Sequence, residues 1–77
     1  MQFLVLLSKS EEGWGYFAQV PALPGCYSYG NTFDEALEQV KEAISRHIEG
    51  ILEDGEPIPE DADYITARVE VGIKAKV

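Results

Sequence analysis

Two residues in this chain of 77 are of the types that enzymes use as nucleophile or proton shuttle, Cys26 and His47, and each type occurs once. A reactive thiolate needs its pKa lowered by a cationic neighbour or a helix N-terminus. The chain around Cys26 offers no base, and the nearest helix start, at Thr32, lies six residues on. Cys26 therefore reads as a small packed residue. His47 falls on the apolar arc of an amphipathic segment with no partner group to act on, and reads as a core histidine with one hydrogen bond. One cysteine rules out an internal disulfide framework and a cysteine-rich metal cluster, and one histidine leaves no second for a zinc site. No cofactor or metal is expected.

Carboxylates are the more abundant candidates, with fourteen Asp and Glu. Two-metal nucleases of the ribonuclease H type hold their ions with carboxylates on the first strand, a helix and a later strand. Here the first apolar run, Phe3-Leu4-Val5-Leu6-Leu7, has none. Asp34, Glu35, Glu38 and Glu42 are accounted for by a helix N-terminus and a solvated helix face. As a phosphate cradle the glycines fail too. Gly25 and Gly30 fit neither a P-loop nor a dinucleotide fingerprint, and no Lys or Arg lies between Lys9 and Lys41. The residues point away from an enzyme.

The elements that position these residues are legible from patterning. Residues 2–8 form an apolar run ending in the polar turn SKSEEG, and residues 14–20, WGYFAQV, follow as a second strand of an antiparallel hairpin. Pro21 and Pro24 block ladder pairing, so PALPG is a loop or an edge irregularity, and Cys26 to Tyr29 make a short third strand. Thr32-Phe33-Asp34-Glu35 is a capping box. At about 100° per residue, Phe33, Ala36, Leu37, Val40, Ala43, Ile44, Ile48 and Ile51 share one arc, while Glu35, Glu38, Glu42, Arg46, Glu49 and Glu53 share the opposite one. This is an amphipathic helix of about five turns, weakened at Gly50 and stopped by Gly55 and Pro57. After the acidic turn EPIPEDAD, residues 64–73 alternate, with Ile65, Ala67, Val69, Val71 and Ile73 on one side, as in a half-buried strand. The expected architecture is a single α+β domain over residues 1–77, in the order βββαβ. Its small, mainly antiparallel sheet carries one helix on one face.

One helix covers one face of a sheet. The first run is apolar on both, with Phe3, Val5 and Leu7 on one side and Leu4 and Leu6 on the other. The face left open also takes one of two second-strand sets, Trp14/Tyr16/Ala18/Val20 or Gly15/Phe17/Gln19. A second chain or a partner is expected to cover it. Trp14, Tyr16, Tyr27 and Tyr29 gather around the second strand and the loop, and Trp and Tyr are favoured interface anchors. The net charge of −8 argues against a phosphate backbone as ligand and suits a basic protein partner. No leader pattern and no apolar run approaching the roughly 20 residues of a membrane span occurs, so a soluble cytoplasmic protein is expected, with no membrane contact.

Taken in order, Glu11 to Ala18, Val20 to Cys26, Gly30 to Leu37, Lys41 to Ile44 and Glu53 to Pro59 resemble the motif series of the HicB-like antitoxins. Within it Pro21, Pro24, Gly25, Cys26, Gly30, Thr32, Glu35, Ala36 and Gly55 are structural motif positions. The resemblance implies a partial ribonuclease H-like fold without nuclease activity. It also implies a partner, a HicA-like toxin, a small basic protein with a double-stranded-RNA-binding-like fold that cleaves messenger RNA. Many relatives continue into a DNA-binding segment, whereas this sequence closes just after the alternating run. It is similar to short stand-alone members, and direct DNA binding is not expected. The expected function is a non-enzymatic antitoxin that masks the active surface of such a toxin, through an interface including Trp14, Tyr16, Tyr27, Tyr29, Asp34 and Glu38. The alternative is an orphan domain that self-assembles without a toxin. Either reading accommodates a homo-oligomer, dimer or tetramer.

Overall fold

A computed structural model describes residues 1–11, 13–61 and 64–74. Glu12 of the first turn, Ala62 and Asp63 of the acidic turn, and residues 75–77 lie outside the described residues. Strands β1 (Leu6–Lys9), β2 (Tyr16–Gln19) and β3 (Tyr27–Gly30) precede helix α1 (Phe33–Glu53). The three strands form one antiparallel sheet in the order β1-β2-β3. The α+β class and the βββα part of the expected order are as the patterning indicates.

Register decides which side chains meet the helix. Leu7 pairs with Ala18 and Ala18 with Ser28, while Tyr16 pairs with Gly30. Because side chains alternate across a sheet, Leu7, Tyr16, Ala18, Val20, Ser28 and Gly30 face α1. Ala18, Val20, Leu23, Cys26, Ala36 and Val40 are the buried core, with Phe3, Val5, Leu7, Ala43, Ile44, Ile48 and Ile51 packed around it. The ladder between β1 and β2 stops early because Val20 is followed by Pro21, which has no N–H to donate.

Residues 20–26 fold as two consecutive turns. Leu23 N–H donates to the Val20 carbonyl at 3.1 Å and Cys26 N–H to the Leu23 carbonyl at 2.9 Å, and Val20 N–H closes the unit on the Cys26 carbonyl at 3.1 Å. Pro21 and Pro24 each occupy the second position of a turn, where their fixed φ is pre-set. Gly25 takes φ +83°, as the third position of a type II turn requires. Leu23 is thereby driven into the core with no exposed surface.

Helix α1 begins as the capping pattern indicates. Thr32 is extended, and its hydroxyl accepts from Glu35 N–H at 3.0 Å. Asp34 and Glu35 stand in the positive first turn. At the other end Gly55, at φ +70°, donates to the Leu52 carbonyl and Glu56 to that of Ile51, a Schellman termination. Gly30 lets α1 lie directly on β3: a Cβ there would stand 2.3 Å from Ala36 N. Ser28 Oγ also donates to the Ala36 carbonyl at 3.2 Å.

The expected fourth strand requires correction. Residues 64–74 pair with no strand among the described residues, and Ile65, Val69, Val71 and Ile73 are 95%, 81%, 66% and 81% exposed. Alternation marks a segment suited to half-burial, but burial needs an edge to receive it. Helix α1 packs chiefly over β3 and β2, and its residues Ala36 and Val40 share the core with Leu7 at the β1 side. Asp61 lies beside the segment that leads into β1, its carboxylate accepting from Leu4 N–H at 2.8 Å.

Candidate functional site

On the face away from α1, Leu6, Ser8, Phe17, Gln19, Tyr27 and Tyr29 are brought to one side by the same register. Phe17 lies directly across from Tyr29, with ring centroids 5.0 Å apart, and its ring is 5.8 Å from that of Tyr27. Tyr27 and Tyr29 stand edge to face at 6.3 Å. The three rings form one cluster, and no element among the described residues covers it. Tyr27 is 55% and Tyr29 64% exposed. A long exposed aromatic surface of this kind is what a partner's apolar side chains desolvate.

The cluster continues round the end of the sheet into a groove of about 760 Å³, whose walls include Glu11, Trp14, Phe17, Tyr29, Asn31 and Glu35. Trp14 is 67% exposed in the β1–β2 turn. Two carboxylates and an indole beside the clustered rings make a surface suited to a cationic, partly apolar partner.

The expected interface residues separate into three places. Tyr27 and Tyr29 share the open face, and Trp14 borders it through the groove. Tyr16 lies on the helix side, half-buried against Phe33 in an edge-to-face contact at 6.2 Å. Asp34 and Glu38 are exposed on α1, across the sheet from the rings. Phe17, at the centre of the cluster, was absent from that set. Its side of β2 is fixed only when the strand is paired, which a single strand's alternation does not reveal. Asp61 escaped as well, since a carboxylate bonded to a backbone amide 57 positions away leaves no local signal.

Cys26 is buried, and burial pushes its thiol pKa up, opposite to what a nucleophile needs. Among the described residues, no group of three or more His, Cys, Asp or Glu is placed to hold a metal ion, and no helix is long and apolar enough to cross a membrane.

The motif series and this geometry can be set beside known proteins. Residues 3–71 match the family described as "HicB_like antitoxin of bacterial toxin-antitoxin system". The chain belongs to the HicB-like antitoxin family. It is 46% identical over 67 residues to the UPF0150 protein Ta0767 of Thermoplasma acidophilum, covering 86% of this chain and 96% of that protein. It is 36% identical over 78 residues to Antitoxin HicB 1 of Photorhabdus laumondii, covering 96% of this chain and 50% of that antitoxin. It is also 56% identical over 59 residues to a 14.9 kDa protein of Haemophilus phage HP1, covering 77% of this chain and 43% of the phage protein. In this HicB-like chain Pro21, Pro24, Gly25 and Cys26 build the double turn. Gly30 and Ala36 form the strand–helix contact, and Thr32, Glu35 and Gly55 end the helix.

Proposed function

We propose that this chain is a non-enzymatic antitoxin that captures a small basic HicA-like toxin and masks the surface with which it cleaves messenger RNA. The observation that carries this reading is the uncovered Phe17/Tyr27/Tyr29 cluster. Family membership supports the antitoxin role. Net charge −8, with Glu11 and Glu35 beside the rings, supports a basic partner. In this reading the tyrosines supply rigid apolar area with a polar tip, and the flanking carboxylates steer and orient the toxin's Lys and Arg side chains. Trp14 contributes from the groove. Tyr16 acts indirectly by holding Phe33 and the start of α1. Asp34 and Glu38 add to the negative field without entering the aromatic contact. The complex forms in the cytoplasm, where the toxin meets its messenger RNA.

The test is co-expression. The chain is expected to restore growth to cells producing a HicA-like toxin, and Tyr27→Ser/Tyr29→Ser to abolish rescue while leaving helical circular dichroism and expression level intact. Full rescue by that double variant would remove the aromatic face from the interface.

A further inference from the structure

Trp14, the chain's one tryptophan, stands outside the core. It occupies the β1–β2 turn between Gly13 and Gly15, at φ +86° and +82°. Ser10 N–H closes that turn on the Gly15 carbonyl at 3.0 Å, and Gly13 N–H donates to the Ser10 carbonyl at 3.0 Å. A Cβ on Gly15 would lie 3.2 Å from the Gly30 carbonyl oxygen, so the turn is braced against the end of β3. A hydrogen-bonded turn thus holds the indole out, 67% exposed, as part of the wall of the groove of about 760 Å³.

Glu35 supplies a second group that packing leaves unused. In a full capping box the carboxylate at this position reaches back to the N–H of the cap. Here only the other half forms, with Glu35 N–H donating to Thr32 Oγ. Among the described residues no hydrogen bond or ion pair engages the Glu35 carboxylate. It lines the groove together with Glu11 and Asn31, and Tyr29 adds a second aromatic side chain. Lys9 is the one cation among the lining residues, and the chain's two arginines, Arg46 and Arg68, are not among them.

We propose that this groove is an arginine pocket, in which a guanidinium of the bound partner lies on the Trp14 indole and donates to the Glu35 and Glu11 carboxylates. The proposal deepens the toxin reading and rests on it for the occupant, a side chain of a basic protein. Charge complementarity selects a cation: two carboxylates against Lys9 leave the groove negative, in a chain of net charge −8. Shape selects arginine over lysine. A guanidinium is planar and weakly hydrated, so it lies flat on an indole while its edge donates to a carboxylate. An ammonium is a compact, strongly hydrated point charge that cannot serve both contacts at once without losing its water. The side-chain carbonyl of Asn31 offers a further acceptor. Because the groove borders the Phe17/Tyr27/Tyr29 cluster, one arginine seated there fixes the register in which the partner's apolar side chains meet the rings.

The experiment titrates the isotope-labelled full-length chain, at low ionic strength, with a capped glycine-arginine-glycine tripeptide and separately with its lysine counterpart. Saturable shifts are expected at the Trp14 indole N–H and at the Asn31 and Glu35 amides, with the arginine peptide bound about fivefold more tightly than the lysine one. Trp14→Ala is expected to abolish that preference, read at the Asn31 amide. Glu35→Gln is expected to weaken the arginine peptide about fivefold or more, while helical circular dichroism stays unchanged, since the donor to Thr32 Oγ is a backbone N–H. Lys9→Ala is expected to tighten both peptides. Equal binding of the two peptides, a preference that survives Trp14→Ala, or shifts confined to other parts of the chain would overturn the proposal.

A HicA-like toxin whose arginines are changed to lysine one at a time completes the test. One such variant is expected to lose about fivefold or more in affinity for the wild-type chain and nothing for Trp14→Ala. Toxin capture with no arginine coupled to Trp14 overturns the pocket and leaves the antitoxin reading standing. An arginine-selective groove in a chain that captures no toxin removes the antitoxin reading, and with it the occupant proposed here.

Discussion

The same substitution, glycine to alanine, has opposite effects at two positions of this chain. At Gly30 the new methyl would press on the backbone of Glu35 and Ala36, with Ala36 N at 2.3 Å. Strand and helix must separate, and Gly30→Ala is expected to cost at least about 2 kcal/mol in urea unfolding. At Gly50, inside α1, nothing lies within 4 Å of the added methyl, and Gly50→Ala is expected to stabilise by about 0.5–1 kcal/mol. Cys26 provides a residue-scale test of pH. Its thiol pKa is raised in the folded state by burial, so the unfolded chain gives up that proton first as pH rises. Stability is therefore retained below the ordinary thiol pKa and falls as pH climbs beyond it. Unfolding midpoints from pH 7 to 10 should decline in the wild type and decline less in Cys26→Ala. Thiol-reagent labelling of the native protein should be slow throughout.

At the scale of elements, the PALPG loop is part of the core. Leu23→Ala removes a fully buried side chain and is expected to cost about 2–5 kcal/mol, a large share of the stability of a domain this size. Tyr29→Ala, on the open face, is expected to change the unfolding midpoint little in comparison. Thr32→Ala should cost about 1 kcal/mol by removing the hydroxyl that accepts from Glu35 N–H.

These elements differ in how openly the sequence shows them. Helix α1 was legible in full, because the Thr32 cap, the apolar arc and Gly55 are local signals that agree. The both-sided apolar character of the first run correctly implied an uncovered sheet face. Which aromatics occupy that face was not legible, because it depends on register: Tyr16 and Phe17 are adjacent in sequence and end on opposite sides. For residues 64–73 alternation suggested a fourth strand that the structure does not form, because alternation says nothing of whether an edge receives the segment.

At the scale of the whole molecule, the chain is an acidic body with an aromatic face on one side of its sheet. Capture of a basic toxin by such a body should be steered by charge. Raising ionic strength from about 0.05 to 0.5 M is expected to slow association by about tenfold or more while changing dissociation little, read by stopped-flow fluorescence of Trp14. The central claim is that the Phe17/Tyr27/Tyr29 face is what a toxin meets. The most direct measurement is a titration of the isotope-labelled chain with a small basic HicA-like toxin, following backbone amides by nuclear magnetic resonance. The account predicts the largest shifts at Phe17, Tyr27, Tyr29 and the Trp14 indole, with α1 from Lys41 onward unmoved. Shifts confined to the acidic face of α1, with the aromatic strand amides unchanged, would contradict it.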